Sequence, residues 1–284
     1  AADRLHLSED ASILRTAGLV LVTVKSADTV EVGRLIAAWA PPDAIIVSLQ
    51  NGVANTAALR DLVQGRPVLG GMVPFNVMAL GDARFHRATS GDIVIARDEA
   101  HTAQRLSVPG MNVRSTGDIV GVQWGKLLFN LNNALNALSG LPLRDQLSQR
   151  AWRTLLADQM TEALAATRAA NIVPVMSTPI PARLTPHVLR LPDGLFRLVA
   201  GAAIQIDPSA RSSMWEDLQR HRPTEIDYLQ GVVRDLAIRH GVRAPLTERI
   251  ITLVKRAENE GRGSPRLTPD QIRVDAADGH RHRP

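Results

Sequence analysis

Ala17–Val24 (AGLVLVTV) is a short, unbroken run of aliphatic and β-branched residues, the pattern of a parallel strand covered on both faces. From Ala27 to Trp39 the apolar positions, Val30, Leu35 and Ile36 among them, fall at helical spacing, and Pro41-Pro42-Asp43 breaks the segment. Ala44–Leu49 (AIIVSL) repeats the buried-strand pattern, Asn55–Leu62 supplies a second helix, and Pro67–Val73 a third strand. Strand, helix, strand, helix, strand predicts right-handed crossovers and a doubly wound α/β sheet. Gly81 to Thr116 reads differently. Short pieces such as Asp92–Ala96 sit between turn residues, and they are expected to extend the sheet with edge strands.

From Ile119 the period changes. Val122–Leu138 is predicted as one helix of four turns or more, ended by Ser139-Gly140 with Pro142 beyond. Arg150–Ala170 gives a second long helix with its charges on the outer face. Asn171–Pro208 is punctuated by prolines and holds one short helix around Gly194–Ala203. Ser212–His240 is a third long helix or helix pair closed by Gly241, and Leu246–Glu260 a fourth. The expected organisation is therefore an α/β domain over 1–116, an all-helical domain over 117–262, and a loose tail over 263–284. No internal repeat or low-complexity segment interrupts it.

Composition narrows the class. The 284 residues are 45% hydrophobic and 21% charged, as in an ordinary globular protein, and long enough for two cores. Aromatics are only 3%, so those cores must be built from Leu, Val, Ile and Ala. No apolar run reaches membrane-spanning length, since Lys25 interrupts Ala17–Val24, and there is no secretory pattern. Cysteine is absent, which removes disulfides and thiolate metal sites and makes a cytoplasmic protein the expectation. A net charge of +5 raises nucleic acid as a partner, but the arginines are dispersed and no aromatic-interleaved basic platform occurs. Neither nucleic acid nor membrane is expected; attraction to an anionic substrate or a phosphate-bearing cofactor explains the sign equally well. The chain opens on Ala1, and its polar start leads at once into a buried-type strand, so it is expected to begin inside a domain.

Chemistry is concentrated at three places. Only three of the 33 basic residues are lysines, and one, Lys126, sits on an apolar helix four residues before Asn130. An ammonium can hand over a proton and its pKa moves on burial, whereas guanidinium stays protonated. Lys126, Asn130 and Asn133 share a helical face flanked by Leu127, Leu128 and Leu131. Snorkelling to the helix edge would explain the lysine alone; the amides beside it suit the polar wall of a cleft. Lys25 and Gln50-Asn51-Gly52 follow the first two strands at the carboxyl edge where open α/β sheets bind ligands, and Asn76 follows the third. An Asn-Gly pair by itself is a tight turn. The last cluster is Ser212-Ser213-Met214-Trp215-Glu216-Asp217 with Arg222-Pro223-Thr224-Glu225-Ile226-Asp227, which helix capping and surface ion pairs alone would explain. No HExxH, no metal-ligand spacing and no GxSxG occurs.

Taken together, Val22-Thr-Val-Lys25, Gln50-Asn51-Gly52, Trp124-x-Lys126-(x)3-Asn130 and Ser212-Ser213-Met214-(x)2-Asp217 with Arg222-x-Thr224-Glu225-Ile226-Asp227 resemble the ketopantoate reductase (2-dehydropantoate 2-reductase) family. Their order and spacing cover essentially the whole chain from Ala17 to Gly261. The resemblance implies a Rossmann-type domain that holds NADP(H), a helical domain that closes over a small 2-keto acid, and NADPH-dependent reduction of ketopantoate to pantoate for pantothenate and coenzyme A synthesis. It makes Lys126 the proton donor to the ketone oxygen, with Glu225 beside it keeping it charged and contacting the cofactor side. Asn130 orients substrate or lysine, and Ser213 holds the substrate carboxylate. Asn51 sits where cofactor and substrate meet, and Lys25 and Asn76 fall on the cofactor side. The leucine-rich faces of the helical domain would support a homodimer.

Two departures from the family pattern stand out. A second Asn of the family helix is replaced by Ala134, and the Asn ahead of the serine pair by Ala210, so a different 2-keto acid is an alternative substrate. No G-x-G-x-x-G occurs in this sequence; in the family it follows a first strand upstream of the point matched by Ala1. An N-terminally incomplete domain of a normal enzyme is the expectation, and a non-catalytic homologue deficient in its cofactor site the alternative.

Overall fold

The computed structural model describes residues 6–82, 84–87, 90–200, 207 and 210–278. The chain divides into two compact units, Ala1–Gln123 and Trp124–Pro284.

The first unit is built on a five-stranded sheet. Strands β1 (Leu19–Val22), β2 (Ile45–Ser48) and β3 (Val68–Met72) run parallel, linked by helices α1 (Thr29–Trp39) and α2 (Asn55–Leu62). Past β3 the chain forms a separate antiparallel hairpin, β4 (Val77–Gly81) and β5 (Arg84–Arg87). It then re-enters the sheet as β6 (Ile93–Ala96), crosses through α3 (Thr102–Leu106), and ends in β7 (Val113–Thr116). The order is β1-β2-β3-β6-β7, with only the β3–β6 pair antiparallel. The stretch expected to extend the sheet thus does so through β6 and β7, while the hairpin stands apart from it.

Side chains alternate across a strand, so each continuous apolar run feeds two cores. Val20, Val22, Ile46 and Val68 pack with Ile36, Leu59 and Val63 of the α1 and α2 region on one face. Ile45, Val47, Leu69, Ile93, Ile95 and Val113 pack with Ala103 of α3 on the other. β1, read from its pattern as covered on both faces, is the edge strand, and Leu21 is 44% exposed. Arg66 closes the end of α1, donating to the carbonyls of Ala37 (3.1 Å), Ala40 (2.7 Å) and Pro41 (3.0 Å).

The division between the units falls within α4 (Ile119–Asn130), and α5 (Asn132–Ser139) follows after the single residue Leu131. The spacing predicts one helix here. The break coincides with Gln230, whose Nε2 donates to the Leu131 carbonyl at 3.0 Å. α5 stops at Gly140, whose positive φ of 67° provides the left-handed C-terminal residue that glycine adopts without steric cost. Then come α6 (Leu143–Ser148), the central α7 (Arg150–Ala169), α8 (Thr185–Leu189) and α9 (Asp193–Ala200). The part of the expected 194–203 helix beyond residue 200 lies outside the described residues. α10 (Ser213–Gln219) and α11 (Ile226–Arg239) realise the helix pair, and α12 (Pro245–Glu260) the last predicted helix.

Leu127, Leu128, Leu131, Leu135, Leu138, Leu155, Met160, Ile250 and Val254 are buried to within 1% of completely and form the aliphatic core the composition requires. Fully buried Arg153 is paired throughout: it donates to the carbonyls of Leu147, Ser148, Leu189 and Leu191 and to Asp193. Glu162 of α7 caps α12, accepting from the Leu246 and Thr247 backbone at 2.9 and 2.8 Å. The segment read as a tail contributes a helix, α13 (Pro269–Asp278), with Ile272 fully buried and Arg273 paired to Asp158 at 2.6 Å. No described helix is long and apolar enough to cross a membrane.

Candidate active site

In the first unit, Lys25 leaves β1 in an extended conformation and leads into the short turn Ser26–Asp28. Asn51 leaves β2 into a turn at Gly52, whose φ of 90° favours glycine. A closed polar network lies beneath both residues. Ser48 Oγ donates to Gln50 Oε1 (3.0 Å), and Gln50 Nε2 donates to Thr29 Oγ1 (2.7 Å) and the Val24 carbonyl (3.2 Å). Thr29 Oγ1 donates to Asn55 Oδ1 (3.0 Å), and Asn55 Nδ2 donates to Ser26 Oγ (3.0 Å) and the Asn51 carbonyl (2.6 Å). Ser26 Oγ completes it on the Asn51 carbonyl at 3.2 Å.

All five side chains are buried, so each bond replaces water that the group has lost. The network joins the loop after β1 to the loop after β2 and thereby brings the Lys25 and Asn51 segments together at the carboxyl ends of parallel strands. Asn76 is exposed, immediately before β4. Sequence reasoning named Lys25 and Asn51 but missed Gln50, Thr29 and Asn55 as the residues that fix them. Their signal was a set of uncharged polar residues just past apolar strands, which also reads as turn chemistry.

In the second unit, Lys126 and Asn130 lie one turn apart on α4 and Asn133 at the start of α5. All three are half-buried, while Leu127, Leu128 and Leu131 beside them are buried. Burial lowers the Lys126 ammonium from the usual 10.5 to about 8, against the opposing pull of the Glu225 carboxylate, so the structure brings these two into electrostatic reach. Glu225 immediately precedes α11 and is held by its neighbours: the Thr224 N–H donates to Glu258 (2.8 Å), and Thr224 Oγ1 accepts from the Ile226 N–H (3.2 Å). Arg222 pairs with the buried Asp217 at 3.0 Å.

Ser213, the first residue of α10, is exposed, and Ser212 caps that helix by accepting from the Trp215 N–H at 3.1 Å. At Gly125, beside the lysine, the backbone around Val175 presses against α4. A Cβ there would lie 1.8 Å from the Val175 carbonyl oxygen. No group of three or more His, Asp or Glu among the described residues could hold a metal ion.

Fold and site define a class: a Rossmann-like α/β unit followed by a helical unit, each carrying a polar cluster. Residues 4–99 match the family described as Ketopantoate reductase PanE/ApbA, and residues 118–258 match Ketopantoate reductase PanE/ApbA C terminal. The 2-dehydropantoate 2-reductase of Halobacterium salinarum is 26% identical over 266 residues, covering 91% of this chain and 82% of that protein. A PanE/ApbA family ketopantoate reductase from Ralstonia eutropha JMP134 superposes with a TM-score of 0.75 at 27% identity, covering 89% of this chain and 80% of that one. D-mandelate dehydrogenase, solved with NADH and anilino(oxo)acetate, shares the fold with a TM-score of 0.71 at 18% identity, covering 86% and 77%. The chain belongs to the ketopantoate reductase family.

Proposed function

We propose that the protein is an NADPH-dependent reductase of a 2-keto acid, with ketopantoate as substrate and pantoate, for pantothenate and coenzyme A synthesis, as product. The observation that carries this reading is a half-buried lysine with a pKa of about 8, next to Glu225 and one helical turn from Asn130. A group titrating near neutrality is matched to giving up a proton at working pH.

The residues present fit a nicotinamide cofactor. A cation and an amide, Lys25 and Asn51, leave adjacent parallel strands on backbone held by five buried side chains, and both would contact it, with Asn76 and Glu225 further candidates. When bound, that cofactor supplies the hydride. Lys126 Nζ stabilises the negative charge growing on the keto oxygen and transfers its proton there. Asn130 orients the substrate or the lysine, Ser213 hydrogen-bonds the substrate carboxylate, and Glu225 keeps the ammonium protonated until the charge develops. The test is NADPH consumption with ketopantoate. Lys126→Arg keeps the charge but has no proton to give, and it is expected to lower kcat by about 10²–10⁴-fold. A near-normal kcat in that variant refutes the role.

A reductase of another 2-keto acid is the second reading. Two positions favour it: Ala134 is completely buried and offers no polar group, and the Ala210 carbonyl is engaged by the Leu143 N–H at 2.9 Å. A panel of 2-keto acids separates the two. NADPH affinity measured by fluorescence separates both from a non-catalytic homologue, which would not bind at micromolar concentration.

A further inference from the structure

We propose that Asn136 and Ser212 are positioning residues that fix where Ser213 meets the substrate carboxylate; this rests on the reductase reading above. Asn136 is completely buried on α5, where an unpaired amide would cost about 1–3 kcal/mol. Its amide is instead engaged at both ends. Oδ1 accepts from the Ser212 backbone N–H at 2.9 Å, and Nδ2 donates to the Leu141 carbonyl at 2.9 Å and to Gln146 Oε1 at 3.0 Å.

Ser212 is held a second time. Its Oγ donates to the Asn133 carbonyl at 3.0 Å while accepting the Trp215 N–H at 3.1 Å. Two bonds, one from backbone and one from side chain, therefore tie the start of α10 to α5. α5 follows the Lys126 helix with one residue between them, so the same bonds place exposed Ser213 in a fixed relation to Lys126 and Asn130. Fully satisfied buried polar networks specify a single arrangement where apolar packing tolerates several. Ser212 also caps α10, and the two roles must be separated experimentally.

Glycine preserves most of the energy of an N-cap and threonine preserves the hydroxyl. Ser212→Gly is therefore expected to keep its Tm close to that of the parent. It should raise KM for ketopantoate, and the Kd from calorimetric titration, by about tenfold, the scale of one hydrogen bond to a charged group. KM for NADPH and the alkaline limb of the pH profile should not move. Ser212→Thr should restore ketopantoate KM.

Ser213→Ala is the reference. If it raises ketopantoate KM while Ser212→Gly does not, the positioning inference is overturned and the reductase reading stands. If Ser213→Ala itself leaves ketopantoate KM unchanged, the assigned role of Ser213 fails and the inference fails with it. Equal loss on ketopantoate and NADPH in Ser212→Gly marks a general structural role and also overturns the inference.

Discussion

Lys126 stands between buried neighbours, Trp124 and Gly125 before it and Leu127 and Leu128 after. Burial lowers its pKa, and Glu225 limits the fall. The direction of the pH dependence follows. Proton donation needs the ammonium, so kcat/KM for reduction should be flat below about 8 and decline as the pH rises through that value. Glu225→Gln removes the carboxylate that opposes the fall and should move this limb to lower pH; a limb that stays put argues against Glu225 as the lysine's partner. Fold stability runs the other way. The unfolded lysine keeps its proton up to about 10.5, so this group's contribution to stability increases between about 8 and 10.5. Gly125 is as specific in shape as Lys126 is in charge. Because the added methyl would overlap the Val175 carbonyl backbone and not a pliable side chain, Gly125→Ala should cost on the order of 3 kcal/mol or more, read as a lowered denaturant midpoint.

The parallel strands end in the Gln50–Thr29–Asn55 network, which ties loop to loop where no regular backbone pairing is available. Asn55→Ala leaves the Ser26 hydroxyl, the Thr29 hydroxyl and the Asn51 carbonyl short of a partner. A loss of about 1–3 kcal/mol in chemical unfolding is expected, together with weaker NADPH binding. Retention of full NADPH affinity would show that the network only supports the fold. Elements of this kind divide cleanly into those legible in the sequence and those not. β2, β3, α1, α2 and α7 announce themselves because an unbroken aliphatic run or a helical period has few competing solutions. The break at Leu131 leaves no trace, since apolar spacing continues across it and its correlate, Gln230, lies far along the chain. The Val77–Arg87 hairpin likewise lacks alternation strong enough to declare two strands. α13 was hidden by a polar, proline-containing segment in which Ile272 is the only described buried hydrophobic residue.

Across the whole chain, residue types that carry chemistry were easier to find than the residues that hold them still. Lys126, Asn130, Ser213 and Glu225 are conspicuous as polar groups in a greasy helical unit. Asn136, Gln146 and Asn55 are equally polar, yet short-range sequence gives no clue to partners 10 to 76 positions away. Long-range hydrogen bonds are set by tertiary packing, and a single sequence exposes that packing only as periodicity. The same reasoning explains why the unit built from crossovers was recognised as a class while its fastening points were not.

The scarcity of lysine has a further consequence, in the reactivity of the protein towards reagents. Acylating and arylating probes attack the free amine, never the ammonium. Among 284 residues there are three ε-amines to compete for such a probe. Burial pulls the Lys255 pKa down, but the bond and charge of Asp227, with Glu258, outweigh it and raise the value, so that amine stays masked. Lys126 is about half unprotonated near pH 8. A small amine-directed reagent at that pH should therefore modify Lys126 well before Lys255, as read by peptide mass mapping, and ketopantoate should slow the reaction. Preferential labelling of Lys255 would contradict the environment described for both lysines. A chain written almost entirely in arginine thus leaves its proposed acid open to chemical tagging in preference to Lys255, without any substitution.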